Sequence, residues 1–210
     1  MFQETDKTIY LLVGITVLLS VSAFLRPALL QELLHSPYDI KRRNQWYRLL
    51  TSGFVHADPA HLFFNMFVFY NFAPHVLEAY KLLFGIKAVW FFLVLYLGGI
   101  VISDLPSYVK QQDNPNYRSL GASGGVSAIL FTFIFIFPEI KLQLLFLPIP
   151  LSGLIWGLIY LAVTYVLSKR GGGRINHSAH LTGALFGVLY TILLKPALIQ
   201  DFLSSLKHIF

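Results

Sequence analysis

The chain has 210 residues, 56% of them hydrophobic and only 12% charged, with a net charge of +6 and a mean hydropathy of +0.64. A soluble domain carries about a quarter charged residues, so a soluble globular protein is excluded. The apolar runs are continuous rather than alternating, so nothing suggests a β-barrel, and with no cysteine there is no disulfide, thiolate nucleophile or thiolate metal site.

The apolar excess falls in blocks of roughly 15 to 20 residues, the length that crosses a hydrocarbon core. The expected fold is therefore an all-α, multi-pass membrane protein forming one domain over residues 1–210. The positive charge suits Lys and Arg at lipid headgroups rather than nucleic-acid binding.

Residues 9–25 form the first predicted membrane helix. The run is long for a signal peptide, and only Lys7 precedes it. Residues 26–60 are too long for a plain loop. They contain amphipathic pieces at 29–34 and 46–55, the basic run Lys41, Arg42, Arg43, and an interfacial trio of Trp46, Tyr47 and Arg48. A structured insert at the membrane edge is expected there. Helices over 61–80 and 84–103 follow, then a polar loop over 104–120. A short helix spans 123–137, and Pro138, Pro148 and Pro150 bracket the next connection. The fifth helix covers 151–168, a glycine-rich loop 169–176, and the sixth helix 179–194 before a short tail.

The second, fourth and sixth helices enter from one face. Their first turns carry His61 with Asn65, Ser123, and His180, so topology alone gathers these polar groups at one depth. The fourth helix rises about 22 Å against a core of about 30 Å. Ser123 then lies below the membrane surface, where irregular backbone needs protein or a water-filled cavity around it.

Ser123 sits in Gly121-Ala122-Ser123-Gly124. A serine needs a base to become a nucleophile, and a helix N-terminus favours a developing oxyanion. Taken alone, the same stretch reads first as a packing face, because Gly121, Ala122, Gly124, Gly125, Ser127 and Ala128 are all small. His180 can serve as general base and then general acid, with Gly183 and Gly187 allowing close approach. His177 is the second choice for that role. His61 and Asn65, four apart, share a helix face and can donate to an oxyanion. Capping or inter-helix bonding is the alternative. Asp58 precedes Pro59 and starts a turn or caps the second helix. No H-E-x-x-H motif occurs, and no metal or cofactor is expected.

Taken together, these residues resemble the rhomboid family of intramembrane serine proteases. The resemblance runs from Trp46 to Gly187 and includes Tyr47-Arg48, His56, His61, Asn65, Leu77-Glu78, Gly121 to Gly124, and His180 with Gly183, in family order. It implies a six-transmembrane-helix bundle with a long interfacial first loop, and a Ser123–His180 dyad without an acid. Asn65, His61 and less securely His56 would line the oxyanion hole. The substrates implied are transmembrane proteins, cut in or beside a membrane helix. Phe64 and Trp156 are expected to flank a lateral opening, under a flexible cap at 169–176. Tyr47 departs from the family pattern, which more often has Trp there, at an interfacial site. Lys and Arg are more numerous on the face of Ser123, which taken alone would place it in the cytoplasm. The resemblance implies the reverse. The form of the chain suggests a bacterial inner (plasma) membrane. Two other readings are a catalytically silent relative that binds membrane clients, and a small transporter. The first usually lacks the serine or histidine present here. The second would show mid-membrane charge pairs or broken helices in a repeat.

Overall fold

The computed structural model describes residues 7–144, 147–170 and 177–209. The first apolar run folds as α1 (Lys7–Leu25). The insert folds as α2 (Pro27–Leu33), α3 (Pro37–Arg43) and α4 (Arg48–Thr51), with a tight turn over Ser52–Phe54. Proline in the first turn of α2 and α3 costs no helical hydrogen bond, and Ser36 caps α3 by accepting from the Asp39 N–H. Arg48 holds the insert together. It is buried, and its guanidinium donates to the carbonyls of Gln31 and Leu34 at 2.8 and 2.9 Å, groups left without partners at the end of α2. Trp46 and Tyr47 stay exposed. The interfacial trio therefore splits, with its aromatics outward and its cation inward.

Next come α5 (Pro59–Phe84) and α6 (Ala88–Gln111). Asp58 caps α5, its Oδ1 accepting the His61 N–H at 2.8 Å. Gly85, at φ 56°, ends that helix in a conformation glycine adopts without penalty. The Phe69 and Tyr96 rings meet with centroids 4.6 Å apart, so α5 and α6 fold back on one another. α6 continues well past the expected end at residue 103. Ser103, Asp104 and Ser107 are buried, with Ser52 donating to Asp104 at 3.2 Å, so their polarity marks a contact with the insert rather than a loop.

The remaining elements are α7 (Ser123–Ile136), β1 (Lys141–Leu144), β2 (Leu147–Ser152), α8 (Gly153–Arg170), α9 (His177–Leu194) and α10 (Leu198–Ile209). α7 is the centre of the bundle and is buried over nearly its whole length, with α5, α6 and α9 packed around it. A Cβ built on Gly183 would strike the Gly124 carbonyl, and one on Gly187 the Ala128 carbonyl. Thr132 donates to the Gly187 carbonyl at 3.1 Å. These pairs advance together along both helices, so α7 and α9 run parallel in close contact. Their small residues allow the van der Waals contact that holds helices together in lipid.

Two elements differ from expectation. The proline-bracketed connection holds an antiparallel hairpin, pairing Lys141 with Ser152 and Leu142 with Leu151, so the fold is mostly helical rather than purely so. The short tail is a helix, α10, bent 117° from α9. By length and apolarity, α1 and the helical run over Pro59–Gln111 qualify to cross a membrane among the described residues, and α7 and α8 are shorter apolar helices. Residues 171–176, most of the expected cap, lie outside the described residues.

Candidate active site

Ser123 opens α7, half-buried, after a loop held by three contacts. The Gly121 N–H donates to the Ser52 carbonyl at 2.9 Å. Ser119 pairs with His35 through both backbone groups, at 2.9 and 3.2 Å. The Ala122 N–H donates to His56 Nε2 at 3.3 Å. Gly121 has φ 116°, and a Cβ there would lie 2.7 Å from the His61 ring. Glycine is required at this position by conformation and by space.

His56 is fully buried. A backbone N–H can only donate, so His56 Nε2 carries the lone pair and Nδ1 the proton. That proton is given to Ser20 Oγ at 2.9 Å, and Ser20 in turn donates to the Phe54 carbonyl at 3.0 Å. Burial pushes the His56 pKa down to about 3, helped by neighbouring His61 and opposed by Asp58. With both nitrogens engaged, His56 has no donor left for an oxyanion. It ties α1 to the residue before Ser123.

His61 packs edge-on against His56, centroids 5.0 Å apart, and lies against Gly121. Asn65 is buried one turn further on, and its amide donates one N–H to the His61 carbonyl at 3.0 Å. The second amide N–H is left for another acceptor. His180 stands in the first turn of α9, its Nδ1 2.9 Å from the hydroxyl of Tyr160 on α8. The glycine register between α7 and α9 sets His180 within a turn of the level of Ser123. Ser123, His180, His61 and Asn65 thus share one end of the bundle, as helix parity requires. The side chain of His177 lies outside the described residues.

Phe64 and Trp156 do not share a level. α5 runs parallel to α7, with His61 against Gly121 and Phe72 against Phe133. Phe64 is therefore level with the start of α7. α8 runs the other way, with Tyr160 beside Ser127 and Gly157 facing Ile134 and Phe131. Trp156 lies roughly 13 Å deeper at helical rise. Its indole donates to the Leu142 carbonyl of the hairpin at 3.0 Å, at the end opposite Ser123. The two residues do not form a paired opening.

Two features escaped sequence reasoning. One is Tyr160. A tyrosine inside an apolar helix needs a partner for its hydroxyl, and that was the available signal. The other is a buried group of His35, Ser119 and Asp104. It has the composition of a hydrolase triad without its geometry. His35 Nδ1 meets both Ser119 Oγ at 2.9 Å and Asp104 at 3.6 Å, whereas a relay needs the two partners on opposite nitrogens. The group staples the insert to α6 and to the loop before Ser123. Burial, and secondarily the Arg48 charge, push the His35 pKa down to about 4.

The Rhomboid domain profile matches residues 43–197. Presenilin-associated rhomboid-like protein A, mitochondrial, of Danio rerio is 34% identical over 146 residues, 68% of this chain and 36% of that protein. RHOMBOID-like protein 12, mitochondrial, of Arabidopsis thaliana is 30% identical over 146 residues, 66% of this chain and 43% of that protein. YdcA of Bacillus subtilis, named as a candidate rhomboid protease, is 30% identical over 149 residues, 71% of this chain and 67% of that protein. The chain thus spans little more than a third of the length of the zebrafish relative.

Proposed function

Because the chain belongs to the rhomboid family, we propose that it is an intramembrane serine endopeptidase acting through Ser123 and His180. The observation that carries this reading is the α7–α9 contact, in which Gly183, one turn after His180, lies against Gly124 in the first turn of α7. His180 Nε2 takes the Ser123 hydroxyl proton as Oγ attacks the scissile carbonyl. The oxyanion is met by Asn65, His61 and the Ser123 N–H. His180 then protonates the leaving amine. A water, deprotonated by His180, hydrolyses the acyl-enzyme and restores Ser123. No carboxylate is needed in this scheme.

The substrates are transmembrane proteins cut in or beside a membrane helix, which must unwind locally to expose a carbonyl. α1, α5, α6, α7, α8 and α9 make six passes, with the insert and α10 at the interfaces in contact with lipid. The termini face the cytoplasm and Ser123 the opposite side. The bacterial inner membrane is expected only from the form of the chain, and the relatives' names do not support it. The mitochondrial names of the zebrafish and Arabidopsis proteins point instead to an organelle membrane.

The test compares wild type, Ser123→Ala and His180→Ala on a reporter transmembrane substrate in proteoliposomes. Wild type cleaves, and neither variant does while both keep the wild-type melting transition. Cleavage by Ser123→Ala overturns the serine assignment. An inert wild type that still binds the reporter supports a silent client-binding protein instead.

A further inference from the structure

Resting on the dyad proposed above, the geometry points to Tyr160 as the positioning residue of His180, standing where a hydrolase triad has its carboxylate. Tyr160 Oη lies 2.9 Å from His180 Nδ1 and 3.2 Å from Ser127 Oγ. The two rings are within 9° of parallel, yet their centroids are 6.1 Å apart. A 2.9 Å contact between their edge atoms leaves no room for face-to-face stacking at that separation. The near-parallel rings are displaced sideways, so the contact joins the tyrosine hydroxyl to the Nδ1 edge of the imidazole. The Phe131 ring, 5.8 Å away by centroid, backs the tyrosine.

Chemistry selects the direction of this bond. If the tyrosine donated to Nδ1, the imidazole proton would sit on Nε2, and His180 could not take a proton from Ser123. A working base carries its proton on Nδ1 and gives it to Tyr160 Oη. The tyrosine hydroxyl is then turned toward Ser127 Oγ, which accepts. The chain His180 Nδ1–H to Tyr160 Oη–H to Ser127 fixes the tautomer, and it steadies the imidazolium formed when Ser123 is deprotonated. The hydroxyl gains no formal charge and loses no proton. α8 supplies this group, so the base on α9 is oriented by a helix that also packs against it.

The experiment uses the 210-residue chain in detergent micelles with histidine ring nitrogens labelled by 15N, the His180 signals being those lost in His180→Ala. Wild type is expected to hold neutral His180 as the Nδ1–H form. Tyr160→Phe, which keeps the ring and its packing, should move it toward the Nε2–H form. In the same variant kcat on the reporter substrate should fall about tenfold, the worth of one hydrogen bond, with KM little changed. The acid limb of its pH profile should shift to lower pH, since the imidazolium loses an acceptor. Ser127→Ala should show the same changes, smaller. An Nε2–H wild type, or a Tyr160→Phe variant with unchanged tautomer and pH profile, overturns the assignment. A wild type that does not cleave the reporter sinks the protease reading instead, while the tautomer measurement still reports on Tyr160.

Discussion

Replacing Gly183 by alanine tests how the fold makes the site. The added methyl would meet the carbonyl of Gly124, and it would lie 2.9 Å from that carbonyl's carbon and 3.1 Å from the Gly124 Cα. Carbon atoms in favourable contact sit about 3.5–4.0 Å apart, so α9 must back away from α7 by roughly 1 Å. Both partners at this point are backbone, so no side chain can rotate aside. Overpacking of this kind costs about 1–3 kcal/mol in stability. A 1 Å misplacement of a reacting group costs about a hundredfold in rate, and His180 sits one turn from Gly183. Gly183→Ala should therefore melt a few degrees lower and cleave the reporter about a hundredfold more slowly. Gly14→Ala is the control, because its methyl would meet nothing within 4 Å. Cleavage at the wild-type rate by Gly183→Ala would mean that α9 does not need its contact with α7 to present the base.

Gly121→Ala places a side chain at φ 116° and against His61. It should abolish cleavage through strain in the loop before Ser123, a result read from kcat in the folded variant. Asn65→Ala should lower kcat about a hundredfold, as expected for one oxyanion donor, and a change confined to KM would remove it from that role. His35 and His56 have folded pKa values of about 4 and 3, both below the ordinary 6.5. At these two positions the unfolded chain therefore binds protons that the fold refuses, so the histidines' own contribution to stability is complete above about pH 6.5 and lost as pH falls toward 4. At about 1.4 kcal/mol per pK unit the effect is on the order of 3 kcal/mol for each residue. Melting curves between pH 7.5 and 4.5 should show it as a difference between wild type and His35→Gln, the variant losing less stability as pH falls.

Much of this was legible in the sequence, for identifiable reasons. α1, α5, α7 and α9 follow continuous apolar runs, and helix parity alone puts Ser123, His61, Asn65 and His180 at one end. The same parity speaks against a Phe64–Trp156 pair. Each lies near the start of its helix, but α5 and α8 start at opposite ends, so equal positions in sequence become opposite positions in depth. The end of α6 is not legible in the sequence, because Asp104 and Ser107 are polar yet buried, where polarity ordinarily signals exposure. α10 carries Leu198, Ile199, Phe202, Leu203 and Leu206 at helical spacing, a period that was there to be read. The hairpin was obscured by Pro148 and Pro150, which mark turns and edges more often than strands. Neither the His56–Ser20–Phe54 chain nor the Tyr160–His180 bond was accessible, because each joins segments whose pairing only the packed helices decide.

The central claim is that Ser123 is an activated nucleophile. It is tested most directly by treating the membrane-embedded protein with a fluorophosphonate and locating the adduct by mass spectrometry. A single adduct is expected on Ser123, absent in His180→Ala. A folded wild-type protein that takes up no label, or takes it up at a residue other than Ser123, would contradict it.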